Sequence, residues 1–318
     1  MPDFKAIRSF LALLLMAIIW LGLPKPSYAG TFSQNETIFD GLPYEYNLYV
    51  PTTLASDPAP AVMALHGGGG NAAHFESVAG LQAAADLDGF VLIMPQGFPN
   101  QVHPNQRTWN AGAFAVGAAI ANIDHVAILR TIVDDVKGNI DIDPGKVYAL
   151  GFSNGGMMAY RLACEASDMV AAIAVAAATL MDRDITVTPP ATAFDCLPEM
   201  PVAVLHYHGL LDNCSPFFGG PGAGIVPGVR PPVSDSIWRF ITLNQCNTVA
   251  IEAVGQSSCW TFGDCAESVE VEICALANHG HAWPSALLSP PGGPCSGPVS
   301  NDVGIDRIWA FFEKHARS

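Results

Sequence analysis

The chain is poor in charged residues, and basic residues are the scarcer kind. Asp, Glu, Lys and Arg make up 14% of its 318 residues, with 14 Lys and Arg against 29 Asp and Glu, for a formal net charge of −15. Nucleic acids and anionic membrane surfaces repel an acidic protein of this kind. We therefore expect neither as a partner. Hydrophobic residues account for 50% of the chain, which is enough to build a sizeable core.

The apolar run near the N-terminus is short for a membrane anchor. It extends from Phe10 to Leu23, whereas a membrane-spanning helix needs ~20 apolar residues. Lys5 and Arg8 precede this run, and the small residues Ser27 and Ala29 follow it at the spacing that a signal peptidase recognises. We predict a signal peptide that is cleaved after Ala29, and hence a secreted or periplasmic protein.

Cysteine is missing from the first half of the chain. The eight cysteines that follow are Cys164, Cys196, Cys214, Cys246, Cys259, Cys265, Cys274 and Cys295. No two of them have the C-x-x-C spacing of a zinc knuckle, and their number is even. In an exported protein such a set is typical of disulfides.

Short apolar runs alternate with helical periodicity along the chain. Beyond the predicted signal peptide (1–29), the segment 30–318 contains no repeat, low-complexity tract or linker, which favours a single domain. Alternating strands and helices predict an α/β fold with a mostly parallel central sheet flanked by helices. Ligands of such sheets bind at the carboxyl ends of the strands. The predicted strands are 44–50, 61–65, 90–94, 147–150, 170–176, 202–206 and 269–276, and the predicted helices are 123–137 and 155–166.

One G-x-S-x-G motif occurs in the chain, Gly151-Phe152-Ser153-Asn154-Gly155. It lies between a predicted strand and a predicted helix, which is the setting of a nucleophile elbow. The turn would lift the hydroxyl of Ser153 clear of the sheet at the start of the helix. The backbone N–H of Asn154 could then donate to a developing oxyanion. We predict Ser153 as a nucleophile.

A serine nucleophile needs a base, and the base needs an orienting carboxylate. In this type of fold the order along the chain is Ser, acid, His. Asp212 follows the apolar run 202–206, and His281 follows the predicted strand 269–276 in a glycine-flanked loop. We predict these two residues as acid and base. His279 is the alternative base, and Asp235 and Asp264 are the alternative acids.

A second oxyanion donor is expected after an early strand. The stretch "MALHGGGGNAAHF" ends an apolar run at His66 and continues with four glycines, which let backbone N–H groups approach a substrate oxygen closely. Gly68 is the predicted donor, with Gly69 as the alternative. A phosphate-binding P-loop is excluded because the Lys-Ser/Thr of that motif is missing. We expect His66 to orient this loop.

Four stretches carry a resemblance to a known family: "ALHGGGGNAAHF", "DIDPGKVYALGFSNGGMMAYRLACE", "HYHGLLDNCSP" and "HGHAWP". Together they resemble the feruloyl esterase, acetyl xylan esterase and polyhydroxybutyrate depolymerase-like group of α/β-hydrolases, often gathered as carbohydrate esterase family one. The resemblance runs from about residue 35 to the C-terminus. It implies an α/β-hydrolase catalytic domain with a Ser153–Asp212–His281 triad and no cofactor. It also implies that Trp109 and Trp283 lie near the substrate.

The activity implied by this resemblance is that of a secreted serine esterase. Its substrates would be feruloyl or acetyl esters of plant polysaccharide, or small aryl esters, cleaved through an acyl-enzyme. The alternative is a poly(3-hydroxybutyrate) or polyester depolymerase or oligomer hydrolase. A hydrolase-fold binding protein without activity is disfavoured, because the motifs for nucleophile, acid, base and oxyanion donors are all present.

Two histidine pairs have an H-x-H pattern, His206 with His208 and His279 with His281. In a strand, alternate residues share a face, so each pair could bind a metal ion. The serine mechanism already accounts for His281, which makes a metal site the weaker interpretation. We expect His206 and His208 to be core residues near the site.

Pairs can be suggested for the cysteines, although the spacing alone leaves other pairings open. Cys259 and Cys274 are expected to lie opposite each other in a hairpin that turns near 264–268. Cys164 and Cys196 flank the strand 170–176 and have counterparts in the resembling family. Cys246 would then pair with Cys265 and Cys214 with Cys295, and the last bridge would tie the loop after Asp212 to the loop beyond His281.

Overall fold

A computed structural model describes residues 28–100, 103–112, 117–182, 194–223, 229–286 and 295–317. The predicted signal peptide lies outside these residues except for its last two. Within the described ranges, no helix combines the length and apolar character that crossing a membrane would require.

Strands and helices alternate through the described part of the chain. The strands are β1 (Thr31–Phe39), β2 (Leu42–Val50), β3 (Ala59–Leu65), β4 (Val91–Pro95), β5 (Phe98–Pro99), β6 (Arg107–Thr108), β7 (Ile142–Phe152), β8 (Ala172–Ala176), β9 (Ala203–Gly209), β10 (Gly220–Pro221), β11 (Val229–Arg230), β12 (Thr248–Val254), β13 (Ser257–Gly263) and β14 (Val271–Leu276). The helices are α1 (Ala72–Ala79), α2 (Leu81–Asp88), α3 (Gly117–Ile120), α4 (His125–Lys137), α5 (Asn154–Glu165), α6 (Val233–Leu243) and α7 (Ile305–Lys314).

Ten of these strands form one sheet in the order β1-β2-β4-β3-β7-β8-β9-β14-β13-β12. The six central strands, from β4 to β14, run parallel, and the two strands at each edge are antiparallel. The carboxyl ends of β3, β7, β9 and β14 therefore meet at one edge of the sheet. The predicted fold class, a mostly parallel sheet flanked by helices, is confirmed.

The core is divided between the two faces of the sheet. Along β3, Met63 and Leu65 pack into one apolar cluster with residues of α4, α5 and α6. Val62 and Ala64 point the other way and pack with residues of α1, α2 and α7. Both sets of side chains are shielded from solvent, which is why this strand is a continuous apolar run in the sequence.

The first residues of two helices differ from the predicted ones, and in one helix a capping side chain explains the difference. The helix predicted to begin at Ile123 begins at His125, because the side chain of Asp124 accepts a hydrogen bond from the N–H of Ala127 and caps the helix. The helix predicted from 155 begins one residue earlier, directly after Ser153. Helices α1, α2, α3, α6 and α7 were not predicted.

All eight cysteines form disulfides, as predicted. The pairs are Cys164–Cys196, Cys214–Cys295, Cys246–Cys265 and Cys259–Cys274. The last two cysteines face each other across the antiparallel pair β13–β14, which is the hairpin that the sequence predicted. The pair at 214 and 295 joins the segment after β9 to the segment before α7.

Candidate active site

Ser153 occupies a sharp turn between β7 and α5. Its backbone has φ of 52° and ψ of −121°, a conformation that is costly for any residue with a side chain. Its N–H donates to the carbonyl oxygen of Ala176, which fixes the turn to the next strand. A Cβ atom on Gly155 would collide with the carbonyl oxygen of Leu65, and one on Gly151 would collide with that of Gly155. The two glycines of the motif are therefore required by the tight passage of the chain.

The structure brings together the three side chains that were predicted as nucleophile, base and acid. Nε2 of His281 lies 2.9 Å from Oγ of Ser153, and Nδ1 of His281 lies 2.8 Å from Oδ2 of Asp212. The three residues come from the carboxyl ends of β7, β9 and β14, so the parallel sheet itself aligns them. Such a chain of hydrogen bonds lets the histidine accept the serine proton while the carboxylate stabilises the resulting imidazolium.

The alternative base and acids are placed elsewhere. His279 is buried, its Nδ1 accepts from the N–H of Ser300, and its Nε2 donates to the carbonyl oxygen of Ala282. These hydrogen bonds fix the loop that carries His281. Asp235 lies in the first turn of α6 and Asp264 lies just after β13. Neither is hydrogen-bonded to a histidine among the described residues.

Asp212 is buried and fully hydrogen-bonded. Burial by itself raises the pKa of this carboxyl group, but the hydrogen bonds that it accepts, from His281 foremost and also from the backbone of Ser215, outweigh burial and hold the pKa below its usual range. Oδ1 accepts two further bonds from the backbone N–H groups of Cys214 and Ser215, both at 2.8 Å. The group therefore stays anionic and has a single orientation, as an acid that orients a base requires.

Two backbone N–H groups are available beside Ser153. The N–H of Asn154 is the first of helix α5, and the first N–H groups of a helix have no acceptor within it. In the glycine loop, Gly69 donates to the carbonyl oxygen of Arg107, whereas the N–H of Gly68 has no acceptor among the described residues. A Cβ atom on Gly68 would lie 3.2 Å from Cβ of Asn154, so the two backbones are in close approach. Of the two predicted alternatives, the structure favours Gly68.

Trp109 is fully buried, with 0% of its surface exposed, so the structure shows no open face of its ring for the predicted contact with substrate. Its indole N–H donates to the carbonyl oxygen of His66 at 2.8 Å, and its ring packs between His66 and His125 at centroid distances of 4.9 and 5.1 Å. Its backbone N–H donates to Oδ1 of Asn154 at 2.7 Å. The indole lies below the glycine loop and holds it against the serine turn.

Trp283 is also part of the core, because only 3% of its surface is exposed. Its ring packs edge-on against Phe75 of helix α1, at a centroid distance of 5.1 Å. Its predicted contact with substrate, like that of Trp109, stays a prediction. Trp283 follows the predicted base His281 in the sequence, and both tryptophans turn inward into the core.

His66 has the structural role expected for it. Its Nε2 accepts from the N–H of Gly97, so its Nδ1 carries the proton and donates to the carbonyl oxygen of Gly67. Burial lowers its pKa to about 4, and the ring is neutral at neutral pH. The neutral ring clamps the start of the glycine loop to the segment after β4.

Comparison with known proteins agrees with this geometry. Residues 44–188 match the family described as Esterase PHB depolymerase. The chain is similar to the NocK protein of Nocardia uniformis subsp. tsuyamanensis, whose name describes it as an esterase, with 32% identity over 65% of this chain and 57% of that protein. It is also similar to feruloyl esterase B of Piromyces equi, with 26% identity over 73% of this chain and 41% of that protein. The chain is a relative of these esterases. It spans about half the length of these relatives.

The fold is that of the α/β-hydrolases. An acetyl xylan esterase from Aspergillus awamori superimposes on it with a TM-score of 0.62 at 16% identity, covering 90% of this chain and all of that one. At this identity the likeness establishes the fold alone. The predicted resemblance to the feruloyl esterase, acetyl xylan esterase and polyhydroxybutyrate depolymerase-like group is confirmed.

We use the name apolar rim for three exposed apolar side chains that lie close to Asp212 in the sequence; they were not predicted. Leu210 and Leu211 directly precede Asp212 and are 42% and 55% exposed, and Phe218 on the same loop is 81% exposed. Large apolar side chains that are exposed to water close together in the sequence are one mark of a ligand-binding surface. The Leu-Leu pair in "HYHGLLDNCSP" was the signal in the sequence that could have identified this rim.

Proposed function

We propose that the protein is an exported serine esterase, with 30–318 as its catalytic domain, that hydrolyses carboxylic esters through an acyl-enzyme. The observation that carries the proposal is the Ser153–His281–Asp212 hydrogen-bond chain next to two free backbone N–H groups. The substrates we propose are feruloyl or acetyl esters of plant polysaccharide and small aryl esters. The names of the relatives, which include feruloyl esterases and a bifunctional acetylxylan esterase/xylanase, support this substrate class.

The geometry suggests a two-step reaction. Oγ of Ser153 attacks the ester carbonyl carbon while Nε2 of His281 takes its proton, and Asp212 stabilises the imidazolium through Nδ1. The negative oxygen of the tetrahedral intermediate accepts hydrogen bonds from the N–H groups of Gly68 and Asn154. The imidazolium then protonates the departing alkoxide. A water molecule, deprotonated by His281, attacks the acyl group in the second step, and the carboxylic acid leaves as Ser153 is regenerated.

The proposal is tested by removing the nucleophile and the acid separately. Ser153→Ala should fold normally and lose turnover by about 10⁴-fold or more, as other serine triads do. A fluorophosphonate should label Ser153 in the wild type and nothing in the variant. Asp212→Asn should lose far more activity than Asp235→Asn, its matched control on α6. Retained turnover in Ser153→Ala, or equal losses in the two aspartate variants, would contradict the assignment.

Polyester hydrolysis is the second candidate, favoured by the match of 44–188 to the Esterase PHB depolymerase family and by the exposed rim of Leu210, Leu211 and Phe218. An aliphatic hydroxyacid oligomer could pack on such a rim. The two candidates are separated by kcat/KM for methyl ferulate and for a 3-hydroxybutyrate trimer. A clear preference for the trimer would assign the polyester activity and leave the mechanism unchanged.

A further inference from the structure

A line of buried polar side chains leads from the helix of Ser153 to the loop of the acid. Tyr160 lies two turns along α5 from the serine, and its hydroxyl is 2.7 Å from Nδ1 of His206. Nε2 of His206 is 3.0 Å from Nδ1 of His208, and Nε2 of His208 is 2.6 Å from the carbonyl oxygen of Ser215. Tyr160 and both histidines are completely buried, and Ser215 nearly so.

The acceptor at the end of this line determines which atom of each side chain in the line carries the proton. A carbonyl oxygen only accepts, so Nε2 of His208 must carry a proton. Burial lowers the pKa of His206 and His208, so each ring is neutral and has one proton. Nδ1 of His208 therefore accepts from Nε2–H of His206, whose Nδ1 accepts from the hydroxyl of Tyr160. All three donors point towards the acid loop.

The end of the line touches the carboxylate from two sides. The N–H of Ser215 donates to Oδ1 of Asp212, and Nε2 of His208 lies 3.5 Å from Oδ2. The ring of Phe217 packs edge-on against His208 and closes this space. Ser215 thus links the two parts: its carbonyl oxygen accepts from His208, and its N–H donates to Asp212.

Apolar side chains at these positions would stabilise the core at least as well as the buried polar ones. Burying a hydroxyl and two imidazoles costs free energy that their hydrogen bonds only offset. A fully satisfied buried network instead specifies one arrangement of the groups that it joins. Here it joins the helix that begins at the nucleophile to the loop that carries the acid.

We propose that Tyr160, His206 and His208 form a positioning network that sets the orientation of the Asp212 carboxylate relative to His281. The network contacts no reacting atom, and His208 is its positioning residue for the acid loop. This inference rests on the proposed esterase mechanism. Its first test, however, does not require turnover.

Several titratable groups surround His208, and a spectroscopic test must distinguish the signals of the histidines among them. His206 lies on the same strand, Asp212 on the following loop, and His279 and His281 on the loop after β14. The charge of Asp212 also acts on buried Arg230. The signals of His206 and His208 must therefore be assigned individually, through His206→Gln and His208→Gln variants.

The first test is the ring ¹⁵N spectrum of histidine-labelled mature protein at pH 7. We expect His206 and His208 both to be neutral with the proton on Nε2. In Tyr160→Phe, the Nδ1 signal of His206 should move towards that of a nitrogen without a hydrogen bond. An imidazolium at either position, or a proton on Nδ1 of either ring, would overturn the proposal.

The second test is kinetic and has a matched control on the same strand. Tyr160→Phe removes only the terminal hydroxyl and should lower kcat about three- to tenfold at unchanged KM, the range expected for one buried hydrogen bond. Tyr207 lies between the two histidines but faces the other side of the sheet, and its hydroxyl has no hydrogen-bond partner among the described residues. Tyr207→Phe should leave kcat unchanged. Equal effects of the two variants, or a wild-type kcat in Tyr160→Phe, would refute the network.

Rescue by a conservative variant separates positioning from simple destabilisation. The amide of glutamine can still donate to the carbonyl oxygen of Ser215, whereas leucine cannot. His208→Gln should therefore retain several-fold more kcat than His208→Leu, compared at temperatures where both are folded. Equal kcat in the two variants would count against the proposal. If the proposed mechanism itself is wrong, Ser153→Ala will retain activity, which is a separate observation.

Discussion

Replacing Trp109 by phenylalanine separates support of the glycine loop from contact with substrate. The buried indole donates to the carbonyl oxygen of His66, and phenylalanine keeps an aromatic ring but has no donor. Gly68, the proposed oxyanion donor, lies two residues beyond that carbonyl. Loss of the hydrogen bond should therefore loosen the loop whatever ester is bound.

The stability effect can be estimated from the contacts of the ring. Leaving the carbonyl oxygen of His66 without its buried donor costs about 1–3 kcal/mol. The smaller ring leaves a void against His66 and His125, at ~24 cal/mol for each Å³ that does not collapse, or about 1 kcal/mol in total. We expect Trp109→Phe to lower the free energy of unfolding by about 2–4 kcal/mol.

Denaturant unfolding and kcat/KM measured on two esters check this prediction. The kcat/KM of Trp109→Phe should fall by the same factor for methyl ferulate and for p-nitrophenyl acetate, because the damage is to the oxyanion site. Trp238→Phe is the control: this tryptophan is 61% exposed on α6, so neither stability nor activity should change. A selective loss on methyl ferulate with wild-type stability would show that the indole contacts the aromatic acyl group after all.

Two further predictions concern pH and the disulfides. Burial lowers the pKa of His66 to about 4 and of His125 to about 3, while an unfolded histidine titrates near ~6.5, so both bind protons more weakly when folded. The free energy of unfolding should therefore decline as pH falls from about 6.5 to about 4, by about 3 kcal/mol for His66 alone. Urea unfolding measured across this pH range checks the prediction. A midpoint that stays constant would contradict it. Replacing both Cys214 and Cys295 by serine opens a loop with a separation of 81 residues and should cost about 4 kcal/mol of stability together with much of kcat. Removing the disulfide of the β13–β14 hairpin, whose cysteines are separated by 15 residues, should cost about 3 kcal/mol of stability and leave kcat unchanged. A larger loss of kcat in the hairpin variant than in the variant without Cys214 and Cys295 would refute the argument.

The position of the site could be predicted because, in a parallel sheet, residues that follow different strands lie close together at one edge. Ser153, Asp212 and His281 each follow an apolar run, and the carboxyl ends of parallel strands share one edge. The glycines around Ser153 were equally informative, since a chain that passes so close to its neighbours excludes any side chain there. Strand order and the glycine positions both depend on backbone geometry, and short sequence patterns are enough to predict them.

The direction in which a side chain points was not predictable at Trp109 or Trp283. Trp283 belongs to the stretch that carries His281, but such a motif gives the position of a ring along the chain and not the face of the loop that the ring occupies. Helices α1 and α2 were missed for a different reason. They are eight residues each, alanine-rich, and separated by Gly80, which ends the first and begins the second. Eight residues are too few for apolar periodicity to stand out.

The residues that hold the three catalytic loops in place share a property that explains why the sequence conceals them. Tyr160 looks like any apolar position of an amphipathic helix, and His279 looks like a second candidate base. In the structure both are buried and satisfied by hydrogen bonds: Tyr160 bonds to the ring of His206, and His279 bonds to backbone groups of Ala282 and Ser300. A serine mechanism gains most when its dipoles are already oriented before the substrate arrives, since no reorganisation is then needed during the reaction. Buried, hydrogen-bonded residues such as Tyr160 and His279 would contribute to this orientation, because their contacts are already made before a substrate binds.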